Sequence, residues 1–183
     1  MKIAVTFLSN ATPAQELAKT LRVTAYLDRQ DVSTKLIQYL SPQKVASLSN
    51  EELGNLHSSL VLVRFTGEHR KHFIKFVQTL EYLMMRRVHT LEAVDLSKII
   101  SAYGHLIRQK KVPMKSGNTS LIKTMEFVLQ NKWSSFTDQE HPAQGLNHQC
   151  RVLNSFYEMA MIKNKGTDLK SGLIYEIDNI LQL

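Results

Sequence analysis

Apolar residues recur with helical spacing along most of the chain. Leu53, Leu56, Leu60 and Val63 fall on one helical face, and Leu96, Ile100, Tyr103 and Ile107 repeat the pattern. Leu146, Cys150, Leu153 and Tyr157 form a third stripe, and Leu173, Ile174, Ile177, Ile180 and Leu181 a fourth. One helix cannot bury such a stripe alone, so each must pack on a neighbour. Start and stop signals frame these stripes. Thr12-Pro13-Ala14-Gln15 offers a capping hydroxyl with proline in the first helical position, and Ser49-Asn50-Glu51-Glu52 is a capping box. Thr137 to Glu140 has the same form before Pro142, while Gly166 followed by Thr167-Asp168 reads as a stop and a new cap. Val112-Pro113 ends the helix that holds Tyr103, because a residue before proline is pushed out of the α region.

The pattern predicts eight helices, over about 14–29, 32–46, 50–65, 69–87, 92–110, 117–131, 144–163 and 168–182. The fold class is all-α, and residues 1–183 read as a single domain. Taken in pairs, the helices make a short solenoid of about four antiparallel hairpins. Leu17, Leu53, Leu96 and Leu146 open the first helix of each pair at spacings of 36, 43 and 50 residues, a degenerate helix-pair period. Thr24-Ala25-Tyr26 and Ser101-Ala102-Tyr103 match late in the first helices of their pairs. Tyr103 is expected to be buried, with its hydroxyl near the surface.

Seven glycines and four prolines are too few for the many tight turns of an antiparallel β architecture. A single cysteine, Cys150, excludes an intramolecular disulfide and a thiolate zinc site, and core packing is its expected role. No apolar run approaches the roughly 20 residues that span a bilayer. The apolar core of Met1 to Leu8 is too short for a signal peptide. Phosphate loops, nucleophile elbows and HExxH motifs are missing, and His69 and His72 have no third ligand nearby. The chain therefore reads as neither an enzyme nor a metalloprotein. No cofactor or small-molecule substrate is expected.

Charge changes the picture more. The chain carries a net +7, and residues 64–115 hold 11 Lys and Arg against 4 Asp and Glu. The rest of the chain is balanced, so the whole excess lies in this middle section. Arg70, Lys71 and Lys75 fall in the first turns of the fourth helix and Arg86 and Arg87 at its end; Arg108, Lys110 and Lys111 close the fifth, and Lys115 follows Pro113. Cations at helix C-termini complement the dipole, which accounts for Arg86, Arg87, Arg108, Lys110 and Lys111 one by one. It does not account for Arg70 and Lys71. These nine residues are expected to share one surface that binds RNA, single-stranded or structured. A solvated face with no ligand and a surface buried on an acidic protein are the competing readings. Among Phe65, Phe73, Phe76, Tyr82 and Tyr103 most should be core, and an exposed ring would suit base stacking.

The segment AVDLSKIISAYGHLIRQKKVPMKSGNTSLIKTMEFVLQ, Ala93 to Gln130, has a recognisable order: an acidic residue and leucine, a small-aromatic pair, a basic helix end, a break at Pro113, then a second apolar helix. Ser47 to Met84 follows the same outline from its Ser-Asn-Glu-Glu-Leu opening. From about Ser47 to Lys165 the chain resembles the degenerate helical-hairpin repeats of the FAST-kinase-like, octotricopeptide and heptatricopeptide families. That resemblance implies an organellar, above all mitochondrial, protein of RNA processing, RNA stability or ribosome assembly, with other protein subunits as partners; otherwise the chain is cytoplasmic. Neither a RAP domain nor the octotricopeptide proline signature is apparent, so the resemblance implies the scaffold rather than nuclease activity or a one-base-per-repeat code. The expected function is a non-catalytic RNA-binding or scaffolding subunit of a mitochondrial ribonucleoprotein. The alternative is a protein-protein scaffold or accessory subunit without RNA contact.

Overall fold

The structure, a computed structural model, describes residues 11–64, 68–113, 116–136 and 142–161. Among these residues every regular element is a helix: α1 (Ala14–Tyr26), α2 (Gln30–Tyr39), α3 (Pro42–Ala46), α4 (Asn50–Leu62), α5 (Glu68–Arg87), α6 (Ala93–Arg108), α7 (Ser116–Asn131) and α8 (Pro142–Met161). Short 3₁₀ turns at Val88–Thr90 and Trp133–Phe136 follow α5 and α7. The fold is all-α. The expected helix over 168–182, the stop at Gly166 and the cap at Thr137 to Glu140 lie outside the described residues.

Local chemistry sets the boundaries. At α4 the capping box forms as read: Ser49 Oγ accepts from the Glu52 N–H at 3.2 Å, and a Glu52 carboxylate oxygen accepts from the Ser49 N–H at 2.8 Å. α1 begins at Ala14 as expected, but the residue flanking it is Pro13 rather than Thr12, and the Pro13 carbonyl accepts from Leu17. The single helix expected over 32–46 is two. Ser41 is extended ahead of Pro42 and its hydroxyl accepts from the Lys44 N–H, so α3 starts with its own cap.

α1, α4, α6 and α8 form a row in which α4 packs on α1 and α6, and α6 on α8. α5 lies against α2, α3 and α7, and α7 also touches α6. Apart from α1 on α2, the principal packing thus runs along the row rather than within consecutive pairs. Leu53, Leu56, Leu60 and Val63 of the α4 stripe are buried, as are Leu96, Ile100, Tyr103 and Ile107 of α6. α6 is the centre of the core, with Leu106 and Ile99 also fully buried. Thr24 and Ser33 join α1 to α2 through a buried hydroxyl pair at 3.0 Å.

The α8 stripe departs from expectation at three of its four positions, and only Leu153 packs against the core, partly buried. Val152, Phe156 and Met159 face the core, whereas Leu146 and Tyr157 are 62% and 56% exposed and Cys150 is exposed. Gly145 lies against the Trp133–Phe136 turn, and a β-carbon there would sit 1.9 Å from the Phe136 carbonyl oxygen. The backbones can meet this closely only without a side chain. Gly145→Ala should therefore destabilise the protein by roughly 1–3 kcal/mol, the range for overpacked sites. A variant whose denaturation midpoint matches the parent's would contradict this contact.

Candidate polyanion-binding site

The basic section divides into places with different chemistry. α6 closes at Arg108, and Lys110 follows in the left-handed region at φ 55°. The Lys111 N–H donates to the Leu106 carbonyl at 2.9 Å and the Lys110 N–H to Ile107 at 2.9 Å, the bond pattern of a left-handed helix stop. This turn directs the chain back toward the end of α4 and the start of α5. Arg70, in the first turns of α5, donates through Nη2 to the Lys110 carbonyl at 2.9 Å. Arg70 therefore does serve a helix C-terminus, that of α6 rather than of its own helix, which corrects its expected separation from the dipole-bound cations.

Arg64, Arg70, Lys110 and Lys111, with Phe73 and Gln109, line a cavity of about 360 Å³. None of these lining residues is acidic. Asp28 approaches Arg64 at 4.0 Å, both groups being mostly exposed, a spacing worth little in solvent. Lys111 is the constrained member: it is half-buried and its Nζ donates to the Val61 carbonyl. Burial first, and the Arg64 charge second, pull its pKa from the usual lysine range to about 8. Four cations held around one cavity repel each other. An anion seated among them would relieve that repulsion.

The remaining residues of the expected surface lie elsewhere or are engaged. Lys71 and Lys75 are exposed on α5. Arg108 turns toward α8, where Nη1 donates to Glu158 at 2.9 Å and Nη2 to His105. Arg87 is a structural clasp, donating to the Leu48 carbonyl at 2.7 Å and to Asn50 Oδ1 at 2.6 Å. Arg86 lies 5.6 Å from the ring centroid of Tyr82, which is 63% exposed. α5 has 20 residues, so its two ends stand roughly 30 Å apart at 1.5 Å per residue. The structure thus gathers Arg70, Lys110 and Lys111 at one end of α5 and leaves Arg86 and Arg87 at the other. Lys115 and Phe65 lie outside the described residues.

Arg64 joins the cavity although the sequence does not single it out beyond its opening the basic section. Its signal is position, just after the end of α4. His69 and His72 are both exposed, and no group of three His, Cys, Asp or Glu that could hold a metal occurs among the described residues. Nor is any helix there long and apolar enough to cross a membrane. Compared with protein families, curated proteins and solved structures, the chain matches none.

Proposed function

We propose that this chain is a non-catalytic RNA-binding or scaffolding subunit of a ribonucleoprotein, built as an array of about four helical hairpins. The repeat resemblance makes a mitochondrial ribosome or RNA-processing assembly its setting. The observation that carries this reading is the convergence of Arg64, Arg70, Lys110 and Lys111 on one cavity with no carboxylate in its lining. Lys110 adds weight. A left-handed residue other than glycine costs about 1–2 kcal/mol, and here the position holds a cation instead.

That position also provides the test. Lys110→Gly should leave stability unchanged or raise it by about 0.5 kcal/mol, once the extra chain entropy of glycine is set against the relieved strain. The same change should weaken binding to a single-stranded RNA oligonucleotide and flatten its log-log salt dependence by about 0.7 for each phosphate no longer neutralised. Lys71→Glu is a suitable companion, since Arg70→Glu would also remove the hydrogen bond to the Lys110 carbonyl. Unaltered RNA affinity in both variants would remove the support for this reading.

The protein-protein scaffold has its own observation. Leu146 and Tyr157 of α8 and Phe127 of α7 are each more than half exposed. A partner held by those side chains would bind with little salt dependence, opposite to a phosphate backbone.

A further inference from the structure

A second depression, about 410 Å³ in volume, runs across α4, α6 and α8, with Tyr26 of α1 at its rim. None of the nine cations expected to bind RNA lines it. Its apolar wall includes Tyr26, 69% exposed, and Leu62, 38% exposed. The lining also holds Lys98 and Arg151, with His105 and His148, and no lining residue is a carboxylate. Lys98 has one acidic neighbour, Asp95 at 3.8 Å, and Arg151 forms no ion pair among the described residues. Ser101 also lines the depression, and its buried hydroxyl has no hydrogen-bond partner among the described residues. His148 feels both cations: burial first, then Arg151 and Lys98, lowers its pKa.

We propose that this groove binds one nucleotide unit, with the base against Tyr26 and Leu62 and the phosphate on Arg151 and Lys98. The base demands an apolar wall and the phosphate an unpaired cation, which Arg151 supplies, with Lys98, paired to Asp95, beside it. A nucleotide meets both within one span. The inference rests on the RNA reading for its biological source, since the same chemistry also describes a free mononucleotide. Small residues shape the floor of the groove, and Gly104 allows the Ser155 backbone of α8 to approach α6 to 3.3 Å from where a β-carbon would sit.

The imidazoles of His105 and His148 serve as built-in reporters. Titration of the full chain with adenosine 5′-monophosphate, followed by proton NMR of the histidine rings, should shift both sets of resonances. Arg151→Glu should weaken that binding about tenfold or more, and Tyr26→Ala several-fold, with circular dichroism verifying that each variant keeps its helices. Both substitutions are at exposed positions, so folding should survive. A single-stranded RNA that shifts the same rings, with a blunt duplex that does not, identifies a strand as the source; shifts from the mononucleotide alone identify a free ligand, and either result supports the groove. Inorganic phosphate shifting the rings equally, with Tyr26→Ala without effect, would reduce it to a plain anion site and overturn the proposal. RNA that binds while the rings stay still and Arg151→Glu changes nothing would overturn the groove yet leave the RNA reading intact. If RNA fails to bind at all but the mononucleotide shifts the rings, the groove stands and the RNA reading falls.

Discussion

Tyr103→Ala is expected to destabilise the protein by about 4 kcal/mol, in the range for deleting a large buried aromatic side chain. The ring is fully buried at the centre of α6, and His57 of α4 lies 5.7 Å from it between ring centroids. Truncation would remove the contact that joins the two most central helices of the row. The hydroxyl behaves differently. The sequence places it near the surface, but it is buried with no hydrogen-bond partner among the described residues, and burial raises the phenol pKa well above its ordinary value. Tyr103→Phe should therefore melt no lower than the parent, because it deletes a polar atom that no protein group satisfies. Thermal or urea denaturation of the two variants tests both statements. An alanine variant as stable as the parent would mean that this helix register is wrong.

Acid should weaken the fold through His57. Its Nδ1 lies 2.7 Å from the Leu53 carbonyl, which can only accept, so the proton sits on Nδ1 and Nε2 is left unpaired and buried. Desolvation dominates and lowers the pKa from 6.5 to about 4, the Leu53 hydrogen bond opposing it only in part. The folded state thus prefers neutral imidazole, and the stability it contributes is complete above pH 6.5. Between pH 6.5 and 4 the unfolded chain takes up a proton that the folded chain refuses. The loss accumulates to about 3 kcal/mol, at up to about 1.4 kcal/mol per pH unit. Asp95 works the other way, since burial raises its pKa and protonation favours the folded form. His57→Leu isolates the effect: the stability difference between parent and variant should fall by about 3 kcal/mol from pH 7 to pH 4. A difference that stays constant across that window would show that His57 is solvated.

What could be read from the sequence was whatever local chemistry decides. The Ser49 capping box, the α4 stripe and the α6 stripe need only a helix and its nearest turns, and each stands where the sequence indicates. The α8 register did not follow, because that helix carries two apolar faces, Leu146–Tyr157 and Val152–Met159, and periodicity cannot choose between them. The choice was made by α6, distant in sequence, together with the Trp133–Phe136 turn ahead of the helix. The Tyr26 and Tyr103 triplets are alike in letters but not in place: one ring is 69% exposed and the other fully buried. Ser41-Pro42 was a legible break that the apolar spacing across it concealed. The basic residues were legible as a list and not as a surface. Arg87 and Arg108 direct their charge to the carbonyl, amide and carboxylate groups of neighbouring segments, partners that composition cannot reveal.

The exposure of Cys150 has a practical consequence. It is the chain's sole cysteine, it sits on the solvent side of α8, and the next residue is Arg151 at the groove. A maleimide dye added to the unmodified protein would attach at one address, without any engineered cysteine and without a background of second labels. Fluorescence from that address would report arrivals beside α8 in real time, and energy transfer to a labelled strand would give its distance and direction of travel.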